Sequence, residues 1–172
     1  KGMSRLLSHF YNQTYVTIDN ERLKEEGGFH WNPFHMDGDE LLGLTFNIRN
    51  NFYFNRSLQK YSWTYSYGKS RNKQQFSIGT QENNSLIHQL EFQHKLTKFW
   101  LFEAQGALSE NRLQTENLAN RNYNIQIKEV QPKLTFLYNK DHKFSFFYHL
   151  KDKENIEQDF EKLQLQKLGV SY

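Results

Sequence analysis

The sequence predicts an all-β fold, arranged as an antiparallel up-and-down meander of long strands. Three observations lead to this prediction. Apolar and polar side chains alternate over stretches of about 10 to 15 residues, polar turns separate these stretches, and aromatic residues make up 16% of the 172-residue chain. A period of two places successive side chains on opposite faces of a sheet. We interpret residues 1–172 as one β-barrel domain or a fragment of one, with an irregular lead-in over 1–40 and a meander of long hairpins over 41–172.

The first strands follow directly from this alternation. One strand is expected near "YNQTYVTID" at residues 11–19, within the lead-in. The next is "ELLGLTFNIRNNFYFN" at residues 40–55, where apolar residues fall on even positions and Asn47 and Arg49 lie opposite them. "KYSWTYSYG" then places Tyr61, Trp63 and Tyr65 on one face. Together these segments predict strands with two chemically opposite faces.

The middle of the chain predicts a tight hairpin. "NSLIHQLEFQHKL" has Leu90 and Phe92 on one face and Glu91 on the other. "FWLFEAQGAL" repeats the pattern with Phe102 and Glu103, after the short turn "LTK". A connection this short joins antiparallel neighbours.

The last strands show changes of phase, which predict β-bulges. In "YNIQIKEVQPKLTFLY" the alternation shifts near Lys128 and Glu129, and Pro132 requires a bulge or an unpaired edge. "KFSFFYHLK" alternates regularly. In "EKLQLQKLGVSY" the leucines Leu163 and Leu165 are out of phase with Leu168, so a second bulge is expected.

The connections predict an asymmetric sheet. Short turns are expected at residues 56–59, 96–98 and 139–142, and longer loops near 77–83, 110–121 and 152–159. Each short turn places a lysine immediately before an aromatic residue. All short turns would therefore lie at one edge of the sheet.

Strand length decides between two ways of burying the aromatic side chains. Strands of soluble sandwiches usually run to about 5 or 6 residues, whereas these segments are long enough to cross a bilayer. We therefore expect a transmembrane β-barrel, or a segment of a larger one, whose aromatic face meets lipid. The predicted lipid-facing residues are Leu42, Leu44, Phe46, Ile48, Phe52, Phe54, Tyr61, Trp63, Tyr65, Leu90, Phe92, Trp100, Phe102, Leu134, Phe136, Phe144, Phe146 and Tyr148. The predicted lumen-facing residues are Asn47, Arg49, Glu91, Glu103, Lys133 and Lys151.

Composition narrows the classes of function. The chain has no cysteine, which excludes disulfides, thiolate metal ligands and cysteine nucleophiles. Its net charge of +3 comes from 22 basic and 19 acidic residues of mixed order, so no nucleic-acid partner is expected. No apolar run reaches the length of a transmembrane helix. The chain begins at Lys1, and we interpret it as a mature chain or an excised fragment.

Few residues suggest a metal site or a catalytic site. His30, His35, Asp37, Asp39 and Glu40 lie close together in sequence, but their spacing matches no standard metal site, and no cofactor is expected. Glu91 and Glu103 sit across the tight hairpin, where they would share a proton as paired acids or serve as hydrated lumen carboxylates. We favour the second interpretation. No Gly-x-Ser-x-Gly motif is present, so an enzyme is not expected.

The segments "RNNFYFNRS" and "RNYNIQIKEVQPKLTF" and the aromatic hairpin ends resemble the C-terminal β-rich region of large outer-membrane barrel proteins of the Bacteroidota type. The resemblance spans most of the chain after about Leu42. It implies an outer-membrane barrel segment within a secretion, uptake or assembly machine, with outer-membrane lipids and other subunits as partners. It implies no catalytic residues.

Three hypotheses for function follow. The first is an integral outer-membrane β-barrel, or part of one, that acts as a structural or transport component in a Gram-negative bacterium. The alternative is a secreted, soluble β-sandwich that binds glycans through its aromatic face. A barrel hydrolase is the third.

Overall fold

The described residues form eight strands, which belong to one antiparallel sheet with the order β1-β2-β3-β4-β5-β6-β7-β8. The computed structural model describes residues 9–22, 41–55, 60–76, 79–138, 142–157 and 161–172. The strands are β1 (Phe10–Arg22), β2 (Leu41–Phe54), β3 (Tyr61–Phe76), β4 (Gly79–Lys95), β5 (Trp100–Thr115), β6 (Tyr123–Leu137), β7 (Lys143–Asn155) and β8 (Lys162–Ser171). The predicted all-β meander of long strands is confirmed, including the strand near residues 11–19.

The register assigns every strand residue to one of two faces. The aromatic face comprises the even positions of β1, β2 and β4–β8 and the odd positions of β3, and the polar face comprises the remaining positions. Trp63, for example, pairs with Phe54 on one side and Phe92 on the other. The two faces therefore continue across the whole sheet, because matching positions of neighbouring strands lie side by side.

The sheet has two ends at which the strands are connected, called here the lower edge and the upper edge. The lower edge holds the connections β2–β3, β4–β5 and β6–β7, and the upper edge holds the other four. At the lower edge Thr97 shapes the β4–β5 turn, because its hydroxyl oxygen accepts the backbone N–H groups of Phe99 and Trp100 at 3.2 and 3.1 Å. Asn55 begins the β2–β3 connection with a φ of 55°, a conformation that asparagine tolerates better than most residues.

The two predicted bulges are wrong. β6 keeps a constant register against β5 from Tyr123 to Phe136, and β8 keeps one against β7 from Lys162 to Ser171. Pro132 is neither bulged nor at an edge. It pairs with Ala104 on β5, while the ladder to β7 is interrupted between Val130 and Lys133, as expected for a residue without an N–H. The changes of phase have another cause, described below.

The predicted asymmetry of the connections is also partly wrong. Only residues 77 and 78 separate β3 from β4, although a longer loop was expected near 77–83. The strands also extend through about half of each of the other two predicted loops, since β5 continues to Thr115 and β7 to Asn155. Short connections therefore occur at both edges.

The described part of the chain has almost no apolar core. Leu44 and Phe54 are its only buried apolar side chains, whereas large apolar side chains such as Leu90, Leu108 and Leu168 are 50, 55 and 80% exposed. No helix in the described ranges is long and apolar enough to span a membrane. A sheet with so much exposed apolar surface requires a partner phase or partner chain to cover it.

Candidate functional site

The candidate functional site is the surface of the sheet, because its two faces differ in chemistry. The register places the residues predicted to face lipid on the aromatic face, and Leu42 joins them by alternation with Leu44. Asn47, Arg49, Glu91, Glu103, Lys133 and Lys151, predicted to face a lumen, all lie on the polar face. The sequence thus sorted these residues into the right two groups, while their contact with lipid or water stays a prediction.

An aromatic girdle runs along the lower edge of the aromatic face. Its closest ring pairs are Phe10–Phe54, Trp100–Phe136 and Phe144–Tyr172, with centroids 4.8, 4.8 and 4.7 Å apart. Cross-strand aromatic pairs of this kind stabilise a sheet by about 0.2 to 1 kcal/mol each. The strand ends are therefore joined by ring contacts along the lower edge.

A second polar-aromatic group lies higher on the same face. The Tyr65 hydroxyl and His88 Nδ1 are 2.7 Å apart and share a hydrogen bond, and the Tyr67 ring lies 5.2 Å from the His88 ring. His88 and His94 both share the aromatic face with Leu90 and Phe92. The polar tips of Tyr65 and His88 satisfy each other, which lowers the cost of placing them among apolar side chains.

From the lower edge upward the aromatic face forms an apolar band, which has a clear upper boundary on β4 to β8. On β5 the band spans nine residues, Trp100 to Leu108, and the next residue on that face is Glu110. The last apolar residues of the band on β4 to β8 are Leu86, Leu108, Val130, Leu150 and Leu168, and the residues immediately beyond them are Asn84, Glu110, Lys128, Asp152 and Gln166. A tilted transmembrane strand needs about 9 to 11 residues, so the band has the right height.

The boundary of the apolar band runs obliquely across the strands. Following the register straight across from Leu86 leads through Glu110, Gln126 and Glu154 to Lys162, which precedes Leu168 by six residues. Six residues along a strand against four strand spacings correspond to an angle of about 45°. A flat apolar layer would meet the sheet along such an oblique line if the strands were tilted by about 45° from the normal of the layer.

On β6 and β8 the polar face also changes character near this boundary. The residues above it on that face are Tyr123, Ile125, Ile127, Leu163 and Leu165. This exchange of faces explains the changes of phase in β6 and β8 that suggested bulges. On these two strands the upper part of the aromatic face is polar and the upper part of the opposite face is apolar.

The polar face below the boundary carries a balanced network of ion pairs. Lys133 Nζ lies 3.0 Å from Glu103 Oε2, His149 Nε2 lies 2.7 Å from Glu129 Oε1, and Lys151 Nζ lies 3.7 Å from Glu129 Oε2. These side chains are partly exposed, so each pair contributes little stability. Their arrangement instead makes this surface hydrophilic.

The structure gives Glu91 and Glu103 separate partners. Glu91 Oε1 accepts a hydrogen bond from Gln89 at 2.8 Å, and Glu103 is held by Lys133 and Gln93. The register places Gln105 opposite Glu91 and Gln93 opposite Glu103. The two carboxylates therefore have individual partners and do not contact each other.

Buried polar side chains are confined to the polar face. Asn51, Thr135, Ser145 and Asn155 are all at most 5% exposed and all belong to this face. Thr135 and Ser145 join their hydroxyl groups by a hydrogen bond of 3.2 Å. The polar face is thus the more enclosed of the two.

Comparison with known proteins found no match. No protein family model, curated protein or solved structure resembles the chain. The site must therefore be judged by its own chemistry.

Metal chemistry has no support in the described residues. They contain no group of three or more histidine and acidic side chains that could hold an ion. The acidic and histidine-rich segment with His30, His35, Asp37, Asp39 and Glu40 lies outside the described residues.

Sequence reasoning missed a charged cluster just above the boundary, on the upper part of β3, β4 and β5. Lys69, Arg71, Glu82, Glu110 and Arg112 line one open cleft of about 490 Å³. The pKa of Glu82 is lowered, because hydrogen bonds from Asn84 and Arg71 and the charges of Arg71 and Lys73 outweigh the opposing effect of burial. The segment "KSRNKQQ" could have revealed the cluster, since its basic residues alternate in phase with Tyr65 and Tyr67.

Proposed function

We propose that the protein forms a segment of the wall of an outer-membrane β-barrel in a Gram-negative bacterium. The observation that carries this proposal is the oblique boundary at which the aromatic face changes from apolar to polar on β4 to β8. Lipid would cover the apolar band, and water would lie against the upper part of the aromatic face. Transmembrane strands tilt by about 35 to 45°, which agrees with the slope of the boundary.

The polar face supports a structural or transport role for this segment. Ion pairs such as Glu103–Lys133 and Glu129–Lys151 would line a hydrated interior and offset one another's charge. The sheet is open, because no pairing joins β1 to β8 among the described residues. Further strands, from another part of a larger barrel or from other subunits of an outer-membrane complex, would complete the wall.

The soluble sandwich receives less support. A sandwich packs two sheets face to face, whereas the eight described strands form one sheet. Its aromatic face would also have to bind glycans, although most of that face is apolar. Polar side chains interrupt the apolar band at β1 and β2, where Asn50 Nδ2 donates a hydrogen bond to Thr14 Oγ1. No observation favours catalysis.

The proposal predicts the effect of a charge in the middle of the band. Leu90 is 50% exposed and lies on the aromatic face between Tyr65 and Gly106. Leu90→Arg should lower the free energy of unfolding in lipid vesicles by about 2 to 4 kcal/mol. In water the same change would cost little, because a half-exposed surface position tolerates arginine.

Gln89→Arg provides the matched control. Gln89 is adjacent in sequence but lies on the polar face, beside Glu91. This variant should unfold at nearly the same urea concentration as the unchanged protein. Equal penalties at the two positions, or a protein that remains in solution without detergent, would overturn the proposed function.

A further inference from the structure

The charged cleft lies at the upper boundary of the apolar band. Its lining includes Tyr67 and Leu86 from the band and Lys69, Arg71 and Arg112 from beyond it. With Glu82 and Glu110 it contains three basic and two acidic side chains. A ligand in the cleft would therefore meet a net positive charge on one side and apolar surface on the other.

The two arginines are positioned to face a common ligand. The register places Arg71 and Arg112 on either side of Asn84, so their backbones are two strand spacings apart, about 10 Å. Glu82 orients one half of this site. Its Oε2 lies 3.0 Å from Arg71 Nη2, and its Oε1 accepts a hydrogen bond from Asn84 Nδ2 at 2.7 Å.

The other half of the cleft has cations without partners. Among the described residues Arg112 and Lys69 form no salt bridge and no side-chain hydrogen bond, although both are exposed. A guanidinium group matches the geometry of a phosphate, to which it donates two parallel hydrogen bonds. The cleft can thus accept an anion without breaking the Arg71–Glu82 pair.

We propose that this cleft binds the phosphate of a lipid headgroup whose acyl chains lie along the apolar band. The proposal rests on the proposed function, because it needs the band to be in a bilayer. The cleft is continuous with the apolar band, so a ligand with both a phosphate and acyl chains fits it, and a lipid has both. The acyl chains would cover exposed residues such as Leu90 and Leu108, while Lys69 and Arg112 neutralise the headgroup.

Retention of an acidic lipid tests the proposal. The protein is placed in nanodiscs of neutral phosphatidylcholine containing a small fraction of phosphatidic acid, and bound lipids are counted by native mass spectrometry. Arg112→Gln should weaken retention of phosphatidic acid about five-fold. The variant removes no existing contact, so folding should be unaffected.

Arg49→Gln is the matched control. Arg49 is also an exposed arginine and lies one residue from the level of Lys69 along the strands, but it belongs to the polar face. This variant should retain phosphatidic acid as the unchanged protein does. Millimolar inorganic phosphate should not compete, because it lacks acyl chains.

The outcomes separate the two proposals. Insertion into the nanodiscs with equal lipid retention by the Arg112 and Arg49 variants overturns the lipid site and leaves the proposed function intact. Full competition by inorganic phosphate overturns the lipid as occupant and assigns the cleft to a free anion. Failure to insert, seen by flotation on a density gradient, overturns both proposals.

Discussion

Thr135 and Ser145 show how individual polar residues are held on the enclosed face. They pair directly across β6 and β7, their hydroxyl groups are 3.2 Å apart, and Thr135 has no exposed surface. A hydroxyl group buried to this degree must keep a hydrogen-bond partner, since it has no access to water. The pair therefore constrains β6 and β7 to one register near the lower edge.

Replacing one member of this pair should cost more than replacing both. Thr135→Val leaves the Ser145 hydroxyl without its partner, which should destabilise the protein by about 1 to 3 kcal/mol. The double variant Thr135→Val with Ser145→Ala removes both groups and should recover most of that loss. Urea unfolding of the two variants measures the difference. A double variant that is less stable than Thr135→Val would show that the hydrogen bond is unimportant.

Gly169 and Phe147 form a contact of a different kind on the same face. A Cβ atom at Gly169 would lie 2.2 Å from the Phe147 ring, so the ring covers the glycine closely. An aromatic side chain placed over a strand glycine protects its exposed backbone, as designed sheets also exploit. The absence of a side chain at Gly169 is thus required by packing and not by backbone conformation.

At the scale of strands, β4 and β5 are tied together at the upper edge by Glu116. Its carboxylate accepts hydrogen bonds of 3.1 Å from both the backbone N–H and the hydroxyl of Thr80. The pKa of Glu116 is lowered, chiefly by the backbone hydrogen bond and also by the Thr80 hydroxyl and the charge of Lys73. A lowered pKa means that the folded state favours the charged carboxylate.

This linkage predicts a local pH dependence. The contribution of Glu116 is present above its ordinary pKa of 4.5 and is lost as the pH falls through the lowered value. The protection factor of the Thr80 amide in hydrogen exchange should therefore decrease with acid. In Glu116→Gln, which keeps an acceptor but carries no charge, protection should be lower at neutral pH and should not change over this range. A variant that retains the acid response would contradict the assignment.

The sequence predicted the strands better than their ends. Alternation is local, so the eight strands and their two faces could be recognised directly, including the grouping of Phe54 with Trp63. The bulge near Lys128 could not be distinguished from an exchange of faces, because both shift the apolar phase by one residue. The loop expected near 77–83 failed for a related reason. Its polar side chains suggested a loop, whereas backbone hydrogen bonds extend a ladder regardless of side-chain polarity.

The charged cleft could not be predicted from sequence spacing. Arg71 and Arg112 are 41 positions apart, and they become neighbours of Asn84 only through the register of three strands. The same holds for the ion pair between Lys133 and Glu103. Long-range contacts of this kind depend on which residues of adjacent strands pair, and that information emerges from the folded sheet.

At the scale of the whole molecule, the sheet has a direction relative to its apolar band. The band reaches the lower edge, whereas the strands continue above it as polar extensions such as those ending at Phe76 and Thr115. Outer-membrane barrels place short turns in the periplasm and their longer, projecting parts outside the cell. The upper edge should therefore be extracellular.

In the proposed barrel the lower edge would face the periplasm, and its lysines agree with that orientation. Lys60, Lys98 and Lys143 each precede an aromatic residue there. A lysine beside an aromatic ring at a membrane surface extends its charged group toward the headgroups while its alkyl chain stays with apolar surface. Lys98 lies in the β4–β5 turn and is exposed, so it can serve as a reporter of this side.

Single cysteines can determine the orientation, because the chain contains none of its own. Arg121→Cys places a thiol in the exposed β5–β6 connection of the upper edge, and Lys98→Cys places one in the β4–β5 turn of the lower edge. A maleimide that does not cross membranes should label Arg121→Cys on intact cells. It should label Lys98→Cys only after the outer membrane is permeabilised, because the apolar band would separate the two edges. Labelling of Lys98→Cys alone on intact cells would invert the orientation, and labelling of both would show that no membrane lies between the edges.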